Sequence, residues 1–259
     1  MTFREYNYKS TIPNVFTFLN LFFGFQAILM AAKGNYNHAA WLILGASLFD
    51  GLDGATARFL KAGSKFGIQF DSIADLVSFC TAPAVLVYFA YASELPHFIA
   101  ISVCFIPLMA GAFRLARFNV QSEEGPNQIF MGLPTTVSAI AIASYVIFNN
   151  ILFGNAGNPL TAFPLILILS FLMVSHVRYV KFPQIGRGWH HRVRAVIIII
   201  CLACLTILKS LILFPLVTLY ILGGIISTIL HHEIQEPIPE TRRAVKSSSR
   251  INRFRFRKH

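Results

Sequence analysis

Long apolar runs, separated by short segments that carry nearly all of the positive charge, constrain this chain more than any other feature. The runs fall at roughly 14–32, 38–59, 66–92, 96–118, 133–153, 160–177, 193–208 and 212–230. About 20 apolar residues in a helix cross the hydrocarbon core of a bilayer, and inside lipid a backbone must satisfy its own polar groups. The fold class expected is therefore all-α: a polytopic integral membrane protein of about eight transmembrane helices. With the N-terminus in the cytoplasm, 20 of the 22 Lys and Arg residues fall on the cytoplasmic side, and Lys33 and Lys209 fall outside it. That asymmetry predicts that both termini are cytoplasmic. Residues 1–12 are polar and mixed, with no apolar signal-peptide core, so no cleavable leader is expected.

The chain carries a formal net charge of +11, which raises nucleic acid as a partner class. The distribution argues against it, because the charge sorts by membrane side. Its largest block, residues 231–259, holds eight Lys or Arg and reads as a basic cytoplasmic tail drawn to anionic lipid headgroups. Phe254 and Phe256 between its arginines suit membrane insertion, with nucleic acid as the alternative for this tail alone. The four cysteines, Cys80, Cys104, Cys201 and Cys204, all lie in apolar runs and read as buried thiols. Cys201 and Cys204 have no second pair or histidine partner nearby, so a metal or redox role is weakly signalled.

Against this background one stretch stands out. Residues 50–75, DGLDGATARFLKAGSKFGIQFDSIAD, hold four of the chain's eleven acidic residues. An ionisable residue flanked by membrane-length apolar runs points to function. Asp50 and Asp53 are three apart, and Asp71 and Asp75 are four apart, so each pair shares a face if its segment is helical. Two helix ends brought together would converge four carboxylates, which repel unless a cation lies between them. Hard divalent ions, Mg2+ or Mn2+, suit an all-oxygen ligand set; solvated carboxylates at a membrane edge are the alternative. Gly54, Ala57 and Gly67 recur on the same faces and would let backbone or ligand approach closely.

Other polar residues collect on the same side. Pro13 can begin the first helix. Asn14 and Thr17, one turn apart at its start, are candidates for the site or simple helix caps. Arg114 and Arg117, three apart and followed by Asn119, end the fourth run on the side of the carboxylates. They read as partners for an anionic diphosphate or carboxylate, or as topology signals. Arg178 and Lys181 are candidate lipid-phosphate contacts, or membrane-surface residues. His190 and His191 are most simply interfacial.

The pattern Asp50-x2-Asp53-Gly54-x2-Ala57-Arg58-x8-Gly67-x3-Asp71-x3-Asp75 resembles the complete signature of the CDP-alcohol phosphotransferases. The segments SKFGIQFDSIADLVSFCTAPA, FRLARFN at 113–119, GLP at 132–134 and MVSHVRYVKFP at 173–183 are similar to one branch of that family, the membrane-embedded phosphatidylserine synthases. The likeness runs from about residue 11 to about 183. It implies a catalytic membrane domain over 1–192, two additional helices over 193–230, and the tail 231–259.

The resemblance implies transfer of the phosphatidyl group of CDP-diacylglycerol to the hydroxyl of L-serine, with release of CMP and no covalent enzyme intermediate. It makes Asp50, Asp53 and Asp71 ligands of one or two divalent ions, and Asp75 the general base and a further ligand. It assigns Arg58 to the diphosphate, and Gly54, Ala57 and Gly67 to the space for the cytidine, with Asn14 and Thr17 beside the nucleotide. It further implies a homodimer, set in a bacterial cytoplasmic (inner) membrane with the active site facing the cytoplasm. The serine zwitterion needs a cation for its carboxylate, for which Arg114, Arg117 and Asn119 are candidates. Glycerol 3-phosphate and inositol phosphate are the rival acceptors, and choline would call for an aromatic cage. From other classes the rivals are a carboxylate-cluster transporter, for which no inverted repeat is visible, and a lipid-binding scaffold without turnover.

Overall fold

The computed structural model describes residues 8–60, 64–123, 132–175, 177 and 211–234. Every regular element among them is helical. Helices α1 (Tyr8–Ala32) and α2 (Tyr36–Leu60) form a hairpin closed in three residues. Gly34 makes that turn possible, since its φ of 79° lies in the left-handed region that side chains disfavour.

The buried positions of α1 are Pro13, Thr17, Asn20, Gly24, Ala27 and Ala31. Their spacing alternates four and three, which is the seam of a helix crossing its neighbours at a shallow angle. All six are small or polar, so neighbouring backbones come close, as packing in lipid requires. Ala39, Ala40, Ile43 and Ala46 supply the corresponding buried positions of α2. At Gly24 the approach is so tight that an added Cβ would lie 2.7 Å from the Cα of Ser78.

The third rod is not one regular helix. It begins as α3 (Lys65–Asp75), whose N-cap Ser64 accepts the N–H of Gly67 at 2.9 Å. A π-helical turn, Leu76–Thr81, follows directly after Asp75. Then come α4 (Ala82–Val87) and a second π turn, Tyr88–Ala92. Pro83 gives a reason for the first widening. It has no N–H to donate, and its ring would meet the carbonyl four residues back in a regular helix. The wider turn precedes it, with the Ala82 N–H reaching Val77 O and the Thr81 hydroxyl reaching Leu76 O at 3.0 Å. Turns of this kind occur preferentially at functional sites.

Helix α5 (His97–Glu123) crosses back past the rod and packs on α7 (Pro159–Val174). Helix α6 (Thr135–Phe153) is the most enclosed membrane-length run and contacts α2, α7 and α8 (Leu213–Ile234). Its end is fixed by Gly154, with φ 68°, and α7 starts where Asn158 caps the N–H of Leu160 at 2.9 Å.

Four described helices are long and apolar enough to cross a membrane: Pro13–Ala32, Phe66–Ala92, His97–Val120 and Thr135–Phe153. Helix α2 has 25 residues, but its last third carries Asp50, Asp53 and Arg58. The apolar stretches Pro159–Val174 and Leu213–Ile226 are shorter. The expected seventh run, 193–208, and most of the tail lie outside the described residues. Two boundaries differ from expectation. Pro13 does not begin α1, which is already helical from Tyr8; proline's fixed φ is itself helical, and its place inside the helix gives up one backbone N–H partner. Helix α5 runs to Glu123, past the expected end at 118, since nothing between Phe118 and Glu123 breaks a helix.

Candidate active site

The two acidic pairs lie on two helices, as their spacing predicts: Asp50 and Asp53 on α2, Asp71 and Asp75 on α3. Asp50, Asp71 and Asp75 each offer a carboxylate oxygen, and these oxygens lie within 4.8 Å of one another. Asp53 points differently. It is 8% exposed and accepts a hydrogen bond from the hydroxyl of Thr17 on α1. Its charge still acts on Asp71. The site is thus a cluster of three carboxylates with a fourth beside it, tied to the first helix.

Helix α1 contributes more than Thr17. Asn14 borders the start of α3, where a Cβ on Gly67 would sit 3.2 Å from its Oδ1. Asn20 is fully buried and donates from Nδ2 to Asp75 Oδ1 at 3.3 Å. Sequence reasoning missed Asn20, although the seam spacing from Thr17 to Gly24 passes through it. Gly54 and Ala57 are half-buried on α2, beyond the aspartates.

The basic candidates separate. Arg114 is placed where its charge acts on Asp75, and its Nε is a buried donor with no acceptor among the described residues. Arg117 reaches the other way and donates from Nη1 to Val174 O at 3.3 Å, fastening α5 to the end of α7. Asn119 donates from Nδ2 to Ser72 Oγ at 3.0 Å, so it braces the turn of α3 that carries Asp71. The Arg58 side chain, Arg178 and Lys181 lie outside the described residues. A cavity of about 490 Å3 opens at the other end of the bundle, lined by Asn35, Tyr36, His38, Asn150 and Asn155 among others, and it contains none of the expected site residues.

The donor set fits a hard divalent cation. Three carboxylates from two helices converge without a histidine or thiol, which selects for oxygen-preferring ions. Left without a cation, three such groups at this spacing would repel one another strongly.

Comparison with known proteins identifies the family of the chain. A family model described as CDP-alcohol phosphatidyltransferase matches residues 10–157. The chain is 34% identical over 219 residues to a CDP-diacylglycerol–serine O-phosphatidyltransferase of Helicobacter pylori, spanning 83% of this chain and 89% of the relative. It is 35% identical over 179 residues to an archaetidylserine synthase of Methanothermobacter thermautotrophicus, spanning 68% of this chain and 72% of that protein. A CDP-diacylglycerol–serine O-phosphatidyltransferase of Methanocaldococcus jannaschii is 34% identical over 175 residues, or 67% of this chain and 76% of the relative.

Proposed function

Because the chain belongs to the CDP-alcohol phosphatidyltransferase family, we propose that it transfers the phosphatidyl group of CDP-diacylglycerol to the hydroxyl of L-serine and releases CMP. The observation that carries this reading is the convergence of Asp50, Asp71 and Asp75 beside a seam of small and polar residues, in a chain with relatives named CDP-diacylglycerol–serine O-phosphatidyltransferase.

Asp50, Asp71 and Asp75, with Asp53 beside them, would hold one or two divalent ions. When bound, such ions neutralise charge on the diphosphate and on the departing CMP. The chain's own residues do the rest. Arg58 pairs with the diphosphate, while Gly54, Ala57 and Gly67 leave room for the cytidine, with Asn14 and Thr17 at its edge. The serine hydroxyl oxygen attacks the phosphorus adjoining the lipid, and the bond from that phosphorus to the CMP oxygen breaks with its electron pair. The serine proton passes to Asp75 late in the step, once bonding to phosphorus has made the hydroxyl acidic, and then to water. Most of the rate enhancement is positioning and electrostatic stabilisation. Arg114 receives the serine carboxylate; Arg117 and Asn119 shape the wall through their contacts with α7 and α3.

The reading extends to the whole chain. The catalytic domain covers 1–192, followed by two more helices over 193–230 and the basic tail over 231–259. Eight spans with both ends in the cytoplasm put the aspartates at the cytoplasmic face of a bacterial inner membrane, where serine is available and CMP is released. The enzyme works as a homodimer.

The test is CMP release by the purified protein with CDP-diacylglycerol and Mn2+ or Mg2+, comparing L-serine, glycerol 3-phosphate, inositol phosphate and no acceptor. Serine-dependent release that Asp75→Asn abolishes is the expected result. Release with a different alcohol overturns the acceptor, and no metal-dependent release with any acceptor overturns the enzyme reading in favour of a scaffold or transporter.

A further inference from the structure

We propose that Asn20 is a positioning residue for the reaction, holding the Asp75 carboxylate so that one oxygen faces the acceptor hydroxyl. The inference rests on the proposed role of Asp75 and goes beyond it, because the residue is on another helix and outside the acidic signature.

Three observations converge on it. Asn20 is 0% exposed in an otherwise apolar part of α1, where a polar side chain without a task is costly. Its Nδ2 donates to Asp75 Oδ1 at 3.3 Å, while its own Oδ1 is buried with no partner among the described groups. The amide has therefore given up an acceptor to make this one donation. Thirdly, the backbone on both sides is fixed. The Ser78 hydroxyl donates to Asn20 O at 2.9 Å, and Gly24, one turn on, lets Ser78 approach α1.

The geometry explains why such a brace is needed. Asp75 is the last residue of α3, and the π turn starts at the next residue. A carboxylate rotates freely about its last bond unless something holds one oxygen. Occupying Oδ1 from α1 leaves Oδ2 as the proton acceptor and stops the group from turning among Asp50, Asp71 and Arg114. Outer partners of this kind commonly contribute 10- to 100-fold to activity through the group they orient.

The test compares purified Asn20→Leu, Asn20→Ser and Gly34→Ala with the wild type, using whichever alcohol the wild type accepts. Leucine keeps the branched outline of Asn20, with methyl groups in place of its oxygen and nitrogen, and so removes both polar atoms. Gly34→Ala strains the turn between α1 and α2, where φ is 79°, and so lowers stability without touching the Asp75 contact. The expected result is a fall in kcat of about 10- to 100-fold for Asn20→Leu, with KM for CDP-diacylglycerol unchanged. Asn20→Ser, which keeps a donor, recovers part of kcat, and Gly34→Ala keeps wild-type kcat. A wild-type kcat in Asn20→Leu overturns the proposal. So does a loss that follows melting temperature and is shared by Gly34→Ala, which would assign Asn20 to packing. The acceptor panel on the wild type tests the reaction itself, and the ratio of variant to wild type tests Asn20, so the two can fail separately.

Discussion

The hydroxyl of Thr17 donates to the carboxylate of Asp53, joining the first helix to the second at the level of the acidic cluster. Both residues are almost fully buried, so the bond is made away from competing water. A hydrogen bond to a charged group contributes roughly 1.5–3 kcal/mol, and stranding a buried carboxylate costs more than losing a neutral pair. Thr17→Val, which keeps the shape and deletes the donor, is expected to lower the melting temperature in detergent. Thr17→Ser should remain near the wild type. Equal melting of Thr17→Val and wild type would show that Asp53 has a better partner than Thr17.

Metal binding should be visible without turnover. An ion bound by the folded protein alone stabilises it, by about 2.7 kcal/mol at a concentration near 100 Kd. Adding Mn2+ to metal-stripped protein is therefore expected to raise the melting temperature, and EDTA to reverse it. Asp50→Asn removes one of the three converging carboxylates and should weaken the shift. A shift of the same size in Asp50→Asn would place the ion elsewhere.

The acidic cluster was legible because its information is local. Asp50 with Asp53, and Asp71 with Asp75, carry helix-face spacing within a few residues, and the apolar runs on either side set the helix directions. The contribution of α1 was not legible in the same way. Thr17 reads from the sequence as a residue beside the nucleotide or a helix cap, and in the structure it is a cross-helix donor to Asp53, while Asn20 was passed over, because which residues α1 faces is decided by packing and not by α1 itself. Its 4-3-4 seam of small and polar residues was the available signal. The π turn after Asp75 left no pattern of its own beyond Pro83, since a wider turn needs no special residue types. The roles of Arg114, Arg117 and Asn119 diverge for a related reason. One helix end points three side chains at different neighbours, and sequence spacing does not say which neighbour each meets.

Gly24 tests whether the close crossing supports the site. A Cβ there meets the backbone of Ser78 at 2.7 Å, and backbone cannot move aside as a flexible side chain can. Gly24→Ala is expected to cost about 1–3 kcal/mol and to lower CMP release, because the displaced segment begins next to Asp75. Gly34→Ala makes the contrast. Its Cβ would meet nothing, but φ is 79°, so strain of about 1–2 kcal/mol should lower melting while leaving kcat alone. Matching losses of kcat in the two variants would show that activity follows overall stability and not this crossing.

Arg114 offers the sharpest separation of binding from chemistry. Its Nε is a buried donor with no acceptor among the described residues, and its charge acts on Asp75. A serine carboxylate arriving beside Asp75 would supply the missing acceptor, and its hydroxyl would then lie near the base. Removing a hydrogen bond to a charged group is equivalent to about a 10- to 150-fold change in affinity. Arg114→Met is therefore expected to raise KM for L-serine by that order, with KM for CDP-diacylglycerol unchanged. Arg114→Lys should recover little, since a point charge cannot reproduce the planar fork of guanidinium. Arg117→Met, whose wild-type side chain reaches Val174 O, should act on melting temperature more than on KM for serine. If KM for CDP-diacylglycerol rises in Arg114→Met instead, the guanidinium serves the diphosphate, and the serine carboxylate is met by another cation.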